Sequence, residues 1–466
     1  MEENTVNDYA ELVARKLASV PPSGIVSPVK LPASLFPHQK ALASWALKRG
    51  RAAIFADTGL GKSRMQLAWA DAVRKHTGRP VLILAPLAVA AQTADEGTAL
   101  DVAVTICRDG AEVGPGVNIT NYDRLHRFDP AIFGGVVLDE SSIIKHHDAR
   151  TFSTLTAAFR NAPFRLCATA TPAPNDWTEL GTHAEFLGIC TRQEMLAEFF
   201  THDGGDTSVW RLKGHARGIF WRWVCSWGAL IRRPSDLGFD DQAYALPPLH
   251  LHEHTVSTEM PTNGMLFAME AQSLSERRDA RRSSLADRVS ECAAIVNADA
   301  EPWVVWCDLN AEGDALRSAI PGAVEIRGAD DTDTKEQRLR DFAEGRIRVL
   351  ITKPSIAGFG LNWQHCARMA FVGVTDSFEA YYQAVRRCWR FGQRRDVHVH
   401  IFASDAEGAV VANLRRKERD ALSMAESLSA ETHDAVMAEV PGSTRNTNTY
   451  NAGRRVAVPA FIRSAA

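Results

Sequence analysis

Short apolar runs alternate with longer stretches of helical periodicity along most of the chain. In the first half the runs are "AAIFA" (52–56), "VLILA" (81–85), "VAVTIC" (102–107), "VNIT" (117–120), "VVLD" (136–139) and "RLCAT" (165–169). The second half repeats the pattern with "WVVWC" (303–307), "AVEI" (323–326), "RVLIT" (348–352), "MAFVG" (369–373) and "VHVHIF" (397–402). Strands spaced by helices predict parallel pairing, so each half reads as an α/β unit wound on both faces of its sheet.

Between the halves, roughly 176–250, the chain is rich in Trp, Gly and Arg and reads as mainly helical, ending at "LPPL" (246–249). The expected organisation is an N-terminal extension (1–30), a first α/β lobe (31–178), a helical insertion and connector (179–250), a second α/β lobe (251–415), and a C-terminal helix with a basic tail (416–466). The last 26 residues hold four Arg, no acid and no periodicity, the mark of a mobile tail. No internal repeat is visible.

Composition narrows the class only a little. At 466 residues the chain is too long for one ordinary core. Apolar residues make up 45% and charged residues 23%, which is ordinary for a globular protein. The net charge of −3 means that any nucleic-acid surface must be a local patch. The start, "MEENTVNDYA", is acidic and lacks the apolar core of a signal peptide. The longest apolar run, "VLILAPLAVAA", is too short to span a bilayer and is broken by Pro86. The eight cysteines include no C-x-x-C pair, so neither a zinc site nor a disulfide framework is expected. A cytoplasmic protein with no membrane contact is the expectation.

One stretch carries candidate chemistry. In "ADTGLGKS" (56–63), Gly59 and Gly61 precede Lys62 and Ser63. The stretch lies between the strand "AAIFA" and the helical pattern "SRMQLAWADAVRKH" (63–76), the strand-to-helix turn that a phosphate loop requires. The glycines let the backbone curl until its N–H groups face the phosphates. Lys62 supplies a point charge to the outer phosphates, and Ser63 a hydroxyl to Mg²⁺. Ala56 stands where a full phosphate-loop motif has Gly, which is harmless if Ala56 still belongs to the strand. A nucleotide site also needs an acid for the metal. "VVLDESS" puts Asp139 at the C-terminal tip of an apolar strand, where ligands of α/β sheets bind. Asp139 is placed to hold Mg²⁺, and Glu140 to take the proton of an attacking water.

Taken in order, these motifs resemble those of the superfamily 2 helicases, and among them the Swi/Snf-like DNA translocases. The match runs over about 32–410. "LFPHQ" (35–39) is similar to the adenine-reading glutamine motif, with Gln39 as reader. "ADTGLGKS" is similar to motif I, so the resemblance puts Asp57, Thr58, Gly59, Leu60, Gly61, Lys62 and Ser63 around the nucleotide. "LAPLAVAAQ" (84–92) and "ITNYDRL" (119–125) sit where the superfamily contacts the nucleic-acid backbone, which singles out Thr120, Asn121 and Tyr122. "DESS" (139–142) resembles motif II, "ATATP" (168–172) motif III, "GFGLN" (358–362) motif V, and "QAVRRCWRFGQ" (383–393) motif VI. Gly358 and Gln383 are nucleotide contacts by this resemblance. Arg387 and Arg390 are expected opposite the γ-phosphate, where planar, permanently charged groups stabilise developing charge. The stretch 231–256 is similar to the connector leading into the second lobe of that group.

The resemblance implies two RecA-like doubly wound lobes in tandem, ATP and Mg²⁺ as cofactors, and an ATP hydrolase of the helicase type acting on nucleic acid, most of all double-stranded DNA. Two departures stand out. Ser142 closes motif II where relatives usually carry His. Motif VI has Arg386 and Trp389 where relatives often have an acid and His. A strand-separating helicase of DNA or RNA is the neighbouring possibility, and Ser142 leaves open an ATP-gated DNA clamp with little turnover. The compact chain resembles motors coded in bacteria and phages, so the expected setting is a bacterial or phage-infected cytoplasm.

The segment 210–233 interleaves four Trp with six Arg or Lys and ends at Arg232 and Arg233. It reads two ways: as a DNA-gripping surface, or as a helical subdomain with Trp in its core and Arg outside.

Overall fold

The computed structural model describes residues 20–86, 89–203, 206–256, 282–357, 362–373, 377–404, 416–417, 432–433 and 436–437. The expected mobile tail, Gly358, and most of the N-terminal extension and C-terminal helix lie outside these residues.

In chain order the first lobe contributes β1 (Arg51–Ala56), β2 (Val81–Ala85), β3 (Val104–Ile106), β4 (Val117–Asn121), β5 (Gly135–Asp139) and β6 (Phe164–Thr169). β7 (Phe200–Asp203) and β8 (Asp206–Leu212) follow as an antiparallel pair, and then β9 (Gly228–Ile231). The first sheet has seven parallel strands in the order β3-β4-β2-β5-β6-β1-β9. Its central strands are buried on both faces, with Ala53, Ile54, Leu82, Ile83, Val136 and Val137 at 0% exposure. Two apolar cores, one on each face, account for this.

The interval 179–250 is less helical than its composition suggests. It holds the helices Leu180–Leu187, Arg192–Phe199 and Arg217–Cys225, but also the β7–β8 pair and β9. β9 pairs with β1, with Ala56 opposite Ile231, and so completes the first sheet. Four apolar residues directly after a Trp-bearing helix give no periodicity by which to tell strand from helix.

The second lobe is built from β10 (Leu249–Val256), β11 (Trp303–Trp306), β12 (Val324–Glu325), β13 (Val349–Thr352), β14 (Arg368–Phe371) and β15 (Val397–Ser404). These six strands are also all parallel, in the order β10-β15-β14-β11-β13-β12. Again an apolar core lies on each face. The chain is thus two doubly wound parallel-sheet lobes of RecA-like type in tandem. Residues near the C-terminus return to the first lobe: Thr432 Oγ1 accepts from Leu230 N at 3.1 Å, and Val436 is buried in that core. Among the described residues no helix is long and apolar enough to cross a membrane.

Candidate nucleotide site between the lobes

The phosphate-loop sequence folds as its pattern requires. β1 ends at Ala56, which is fully buried and in register with Ile231, so the position that lacks glycine is still strand. Its carbonyl accepts from Lys62 Nζ at 3.0 Å. The turn then passes through Gly59 (φ 90°) and Gly61 (φ 80°) into the helix Lys62–Thr77. Both glycines are also forced by their neighbours. A Cβ on Gly61 would lie 2.2 Å from Gln39 Nε2, and one on Gly59 would lie 2.9 Å from Phe391 N of the second lobe. Gln39 reaches the loop by donating Nε2 to Leu60 O at 3.0 Å.

β5 delivers Asp139 at its C-terminal end, opposite Ala168 of β6. The next residue, Glu140, has φ 52° and ψ 55°, a left-handed conformation that a non-glycine residue seldom adopts outside functional sites. Gln66 Nε2 donates to Asp139 Oδ1 at 2.6 Å, and Thr169 Oγ1 donates to Glu140 Oε2 at 3.4 Å. From the second lobe, Arg387 and Arg390 follow the helix Phe378–Val385. Arg387 donates Nε to Gln383 O at 2.9 Å and Nη2 to Gln383 Oε1 at 2.8 Å, and its own carbonyl accepts from Trp363 N at 2.9 Å.

These groups line one cavity of about 280 Å³ between the lobes. Of the sequence-predicted residues it brings together Gln39, Thr58, Gly59, Gly61, Lys62, Ser63, Asp139, Glu140, Arg387 and Arg390. Three expected residues stand outside the lining of this cavity. Asp57 does not line the cavity, because its carboxylate is taken by Tyr382 and Arg386 of the second lobe. Leu60 turns its side chain into the core, while its N–H donates to Asp57 O and its carbonyl accepts from Gln39. Gln383 stands behind Arg387 and is fully buried.

The electrostatics are those of a buried mixed-charge site. Burial, and then the Glu140 charge, push the Asp139 carboxyl up to about 7, while Gln66 and Lys62 pull it back. Burial lowers Lys62, and Glu140, Asp57 and Asp139 oppose the shift. Burial and the nearby Arg390 bring Arg387 down to about 10. Four cations (Lys62, Arg64, Arg387 and Arg390) and three acids (Glu96, Asp139 and Glu140) thus line one confined volume, and a buried cation costs less if a polyanion is present. The Oδ1 of Asn362, which lines the cavity, is buried with no hydrogen-bond partner. The donor set fits a nucleoside triphosphate: Lys62, Arg387 and Arg390 for phosphate oxygens, and Asp139 with Ser63 for a divalent cation.

Sequence reading missed one end of the cavity. Phe36, Tyr244 and Phe391 meet there, Tyr244 lying 5.5 Å from Phe36 and 4.8 Å from Phe391 between ring centroids. Gln39 Nε2 approaches the Tyr244 hydroxyl at 3.4 Å. Phe36 and Phe391 sit inside recognised motifs, but Tyr244 lies in the connector, where no motif marks it.

The nucleic-acid candidates fare unevenly. Thr120 is 2% exposed, and Tyr122 donates its hydroxyl to Asp139 O at 2.7 Å, which ties the turn after β4 to the end of β5. Asn121 caps the following turn by accepting from Arg124 N. Trp221 and Trp227 are buried in the first core, whereas Arg211, Arg217, Arg222 and Arg233 are exposed. The segment is therefore a Trp core with an Arg exterior. Arg232 is half-buried, and exposed Arg233 pairs with Asp236 at 3.6 Å.

Residues 308–392 match the helicase conserved C-terminal domain. The chain is 24% identical to "Putative protein p41" of Acyrthosiphon pisum secondary endosymbiont phage 1, over 82% of this chain and 96% of that protein. A solved structure, the Sulfolobus solfataricus SWI2/SNF2 ATPase core in complex with dsDNA, is similar at 16% identity, covering 88% of this chain and 98% of that one with a TM-score of 0.41. The likeness to the helicase conserved C-terminal domain thus falls within the second lobe, over the residues that carry Arg387 and Arg390.

Proposed function

We propose that this protein is an ATP-driven motor on nucleic acid, with duplex DNA as its track. The observation that carries the reading is the single cavity in which Lys62, Asp139 and Glu140 of the first lobe meet Arg387 and Arg390 of the second. Lys62 and the loop amides bind the triphosphate. Ser63 and Asp139 would hold Mg²⁺, which supplies charge neutralisation on the phosphates. Glu140, oriented by the Thr169 hydroxyl, takes the proton of the attacking water. Arg387 and Arg390 stabilise the charge that builds on the transferred phosphoryl group, and do so only when the lobes are together. The aromatic rings of Phe36, Tyr244 and Phe391, beside Gln39, suit a flat heteroaromatic base. Closing with ATP and opening after hydrolysis then moves one lobe against the other along the strand.

Duplex DNA is favoured by the form of motif VI and of the connector, and the exposed arginines of 211–233 offer phosphate contacts. Phosphate release with and without duplex DNA tests the reading, wild type against Glu140→Gln. A motor shows DNA-stimulated turnover in the wild type, while the variant binds ATP without turning it over. Tight ATP-dependent DNA binding with no wild-type turnover would make the protein a clamp, and loss of both binding and turnover in the variant would make Glu140 structural.

A further inference from the structure

The helix Phe378–Val385 and the turn after it present two adjoining stripes to the first lobe. Gln383, Arg387 and Arg390 form the first and serve the cavity. Glu379, Tyr382 and Arg386, spaced by three and four residues, form the second. All three residues of the second stripe bond across the lobes. Arg386 Nη2 donates to Asp57 Oδ2 at 2.7 Å, and the Tyr382 hydroxyl donates to Asp57 Oδ1. Glu379 accepts from Lys145 Nζ on one oxygen and from Thr171 Oγ1 at 3.3 Å on the other. These are enclosed contacts. The Arg386 and Asp57 side chains are 10% and 15% exposed, and those of Lys145 and Glu379 18% and 6%.

Asp57 is the first residue after β1 and opens the phosphate loop. Its Oδ1 also accepts from Thr58 N at 2.6 Å and from Thr58 Oγ1 at 3.1 Å. The carboxylate therefore ties the second lobe to the backbone of the loop itself. Glu379 reaches the other side of the site, since Thr171 N donates to Thr169 Oγ1 and Thr169 Oγ1 donates to Glu140. An acid at position 386 would face Asp57 with like charge, whereas arginine makes the contact attractive.

We propose that Asp57, Tyr382 and Arg386, seconded by Glu379 with Lys145 and Thr171, form an interlobe latch that holds the catalytic cleft closed without help from nucleic acid. The proposal rests on the reading of the cleft as an ATP site and concerns its regulation. The latch sets how much of the closed state, with Arg387 and Arg390 in place, exists before DNA binds. DNA spanning both lobes supplies closing contacts of its own, so latch and DNA contribute to the same equilibrium. Arg386 is a positioning residue in this scheme.

Two measurements on the full chain test it. The first is ATP turnover with and without saturating duplex DNA. For Arg386→Ala and Asp57→Asn the DNA-free rate falls about tenfold, within the usual range of coupling between states, and DNA restores most of the loss. Arg386→Lys, which keeps the charge, recovers part of the DNA-free rate, and Arg387→Ala is not restored by DNA. An unchanged DNA-free rate in Arg386→Ala overturns the latch, as does a loss that DNA fails to restore. The second needs no turnover: spin labels at exposed Lys75 and Ser318 report the interlobe distance in the absence of DNA. The wild type gives one narrow distribution, which broadens to longer distances in both latch variants, with circular dichroism confirming that they are folded. Identical distributions overturn the latch. A wild type that hydrolyses no ATP yet shows these distance changes overturns the motor reading and keeps the latch.

Discussion

The two lobes furnish one site by different means. The first lobe carries its groups on main-chain geometry. Lys62 opens a helix that a glycine turn joins to β1, and Asp139 ends a strand locked between two neighbours. The second lobe carries its groups on side chains, since Arg387 and Arg390 extend from the turn after one helix, and Arg387 is aimed by Gln383. Backbone placement stays put while the lobes move. Side-chain placement delivers charge only on closure. The first lobe should therefore govern binding and turnover together, and Arg387 and Arg390 of the second mainly turnover.

Alanine variants test that division at its largest. Lys62→Ala loses ATP affinity and turnover together while keeping its fold, because the lysine lines the cavity and is not part of the apolar core. Arg390→Ala and Arg387→Ala keep ATP affinity but lose roughly 10³ to 10⁵ in rate, as arginine removal does in other phosphoryl-transfer systems. A surface ion pair, at about 0–1 kcal/mol, could not produce such a loss. Isothermal titration beside steady-state rates separates the cases. Normal turnover in folded Lys62→Ala would end the assignment of the phosphate loop, and a silent Arg390→Ala would mean that the register of motif VI is wrong.

Each lobe also supports a charged site residue with a buried glutamine, which sharpens the comparison. Gln66 Nε2 bonds Asp139 in the first lobe, and Gln383 Oε1 bonds Arg387 in the second. The Gln66 bond favours the charged carboxylate, and Asp139 already titrates near 7. Gln66→Ala should raise the metal-free carboxyl further, so Mg²⁺ and ATP must displace a proton over a wider range and the acidic limb of kcat/KM, which reports the free enzyme, moves to higher pH. Gln383→Ala should lower the rate by about 10- to 100-fold, the cost of a misplaced group, with the pH profile unmoved. The profiles of the two variants are the check: an unshifted limb for Gln66→Ala would mean that Asp139 does not limit the rate.

Much of this was legible in the chain. Most strands of both sheets show as apolar runs because parallel strands are covered on both faces and need no alternation, whereas the edge strand β10, half-exposed and rich in His, gives no such run. Lys62, Ser63, Asp139 and Glu140 were legible as candidates because residue type and position after a strand point to phosphate and metal chemistry, whereas Gln39, Arg387 and Arg390 were legible only through the resemblance to superfamily 2. What depends on the approach of distant segments was not. Asp57 reads as part of the phosphate loop, yet its partners are 325 and 329 positions away. Tyr244 enters the cavity only because the connector passes across it. Thr120 and Tyr122 sit where relatives touch nucleic acid, and the burial of the one and the bond of the other to Asp139 come only with the fold. β9 was hidden because four apolar residues carry no period.

The smallest effect expected concerns a feature of the second lobe that the first lacks. On the edge pair of its sheet, β10 and β15 run parallel with His250 opposite His398 and His252 opposite His400. His252 Nε2 lies 3.0 Å from His398 Nδ1, and His254 Nε2 lies 3.0 Å from His400 Nδ1. Each contact needs one ring to donate and the other to accept, so each pair must contain a neutral ring. The ends of the ladder meet acids, His250 at Asp396 (3.1 Å) and His254 at Glu291 (3.2 Å), while Arg368 of β14 adds positive charge. Burial first, and then neighbouring histidines and Arg368, lower His252 and His398 and bring His400 down to about 4. The folded state thus resists protons that the unfolded chain accepts near pH 6.5. The unfolded state binds more protons between those values, so the stability from these rings is present above about pH 6.5 and drains away as pH falls toward 4. The rings are partly exposed and screened, which keeps the effect small. Acidification from pH 7.5 to 5.5 should lower the melting temperature of the second lobe by roughly 2–4 °C through this term. The double variant His398→Gln, His400→Gln should show a flatter dependence over the same interval, whereas the contribution of buried His183 in the first lobe should be unaffected by these substitutions. Parallel pH dependences for wild type and variant would mean that the ladder is only a packed sheet edge and not a titrating one.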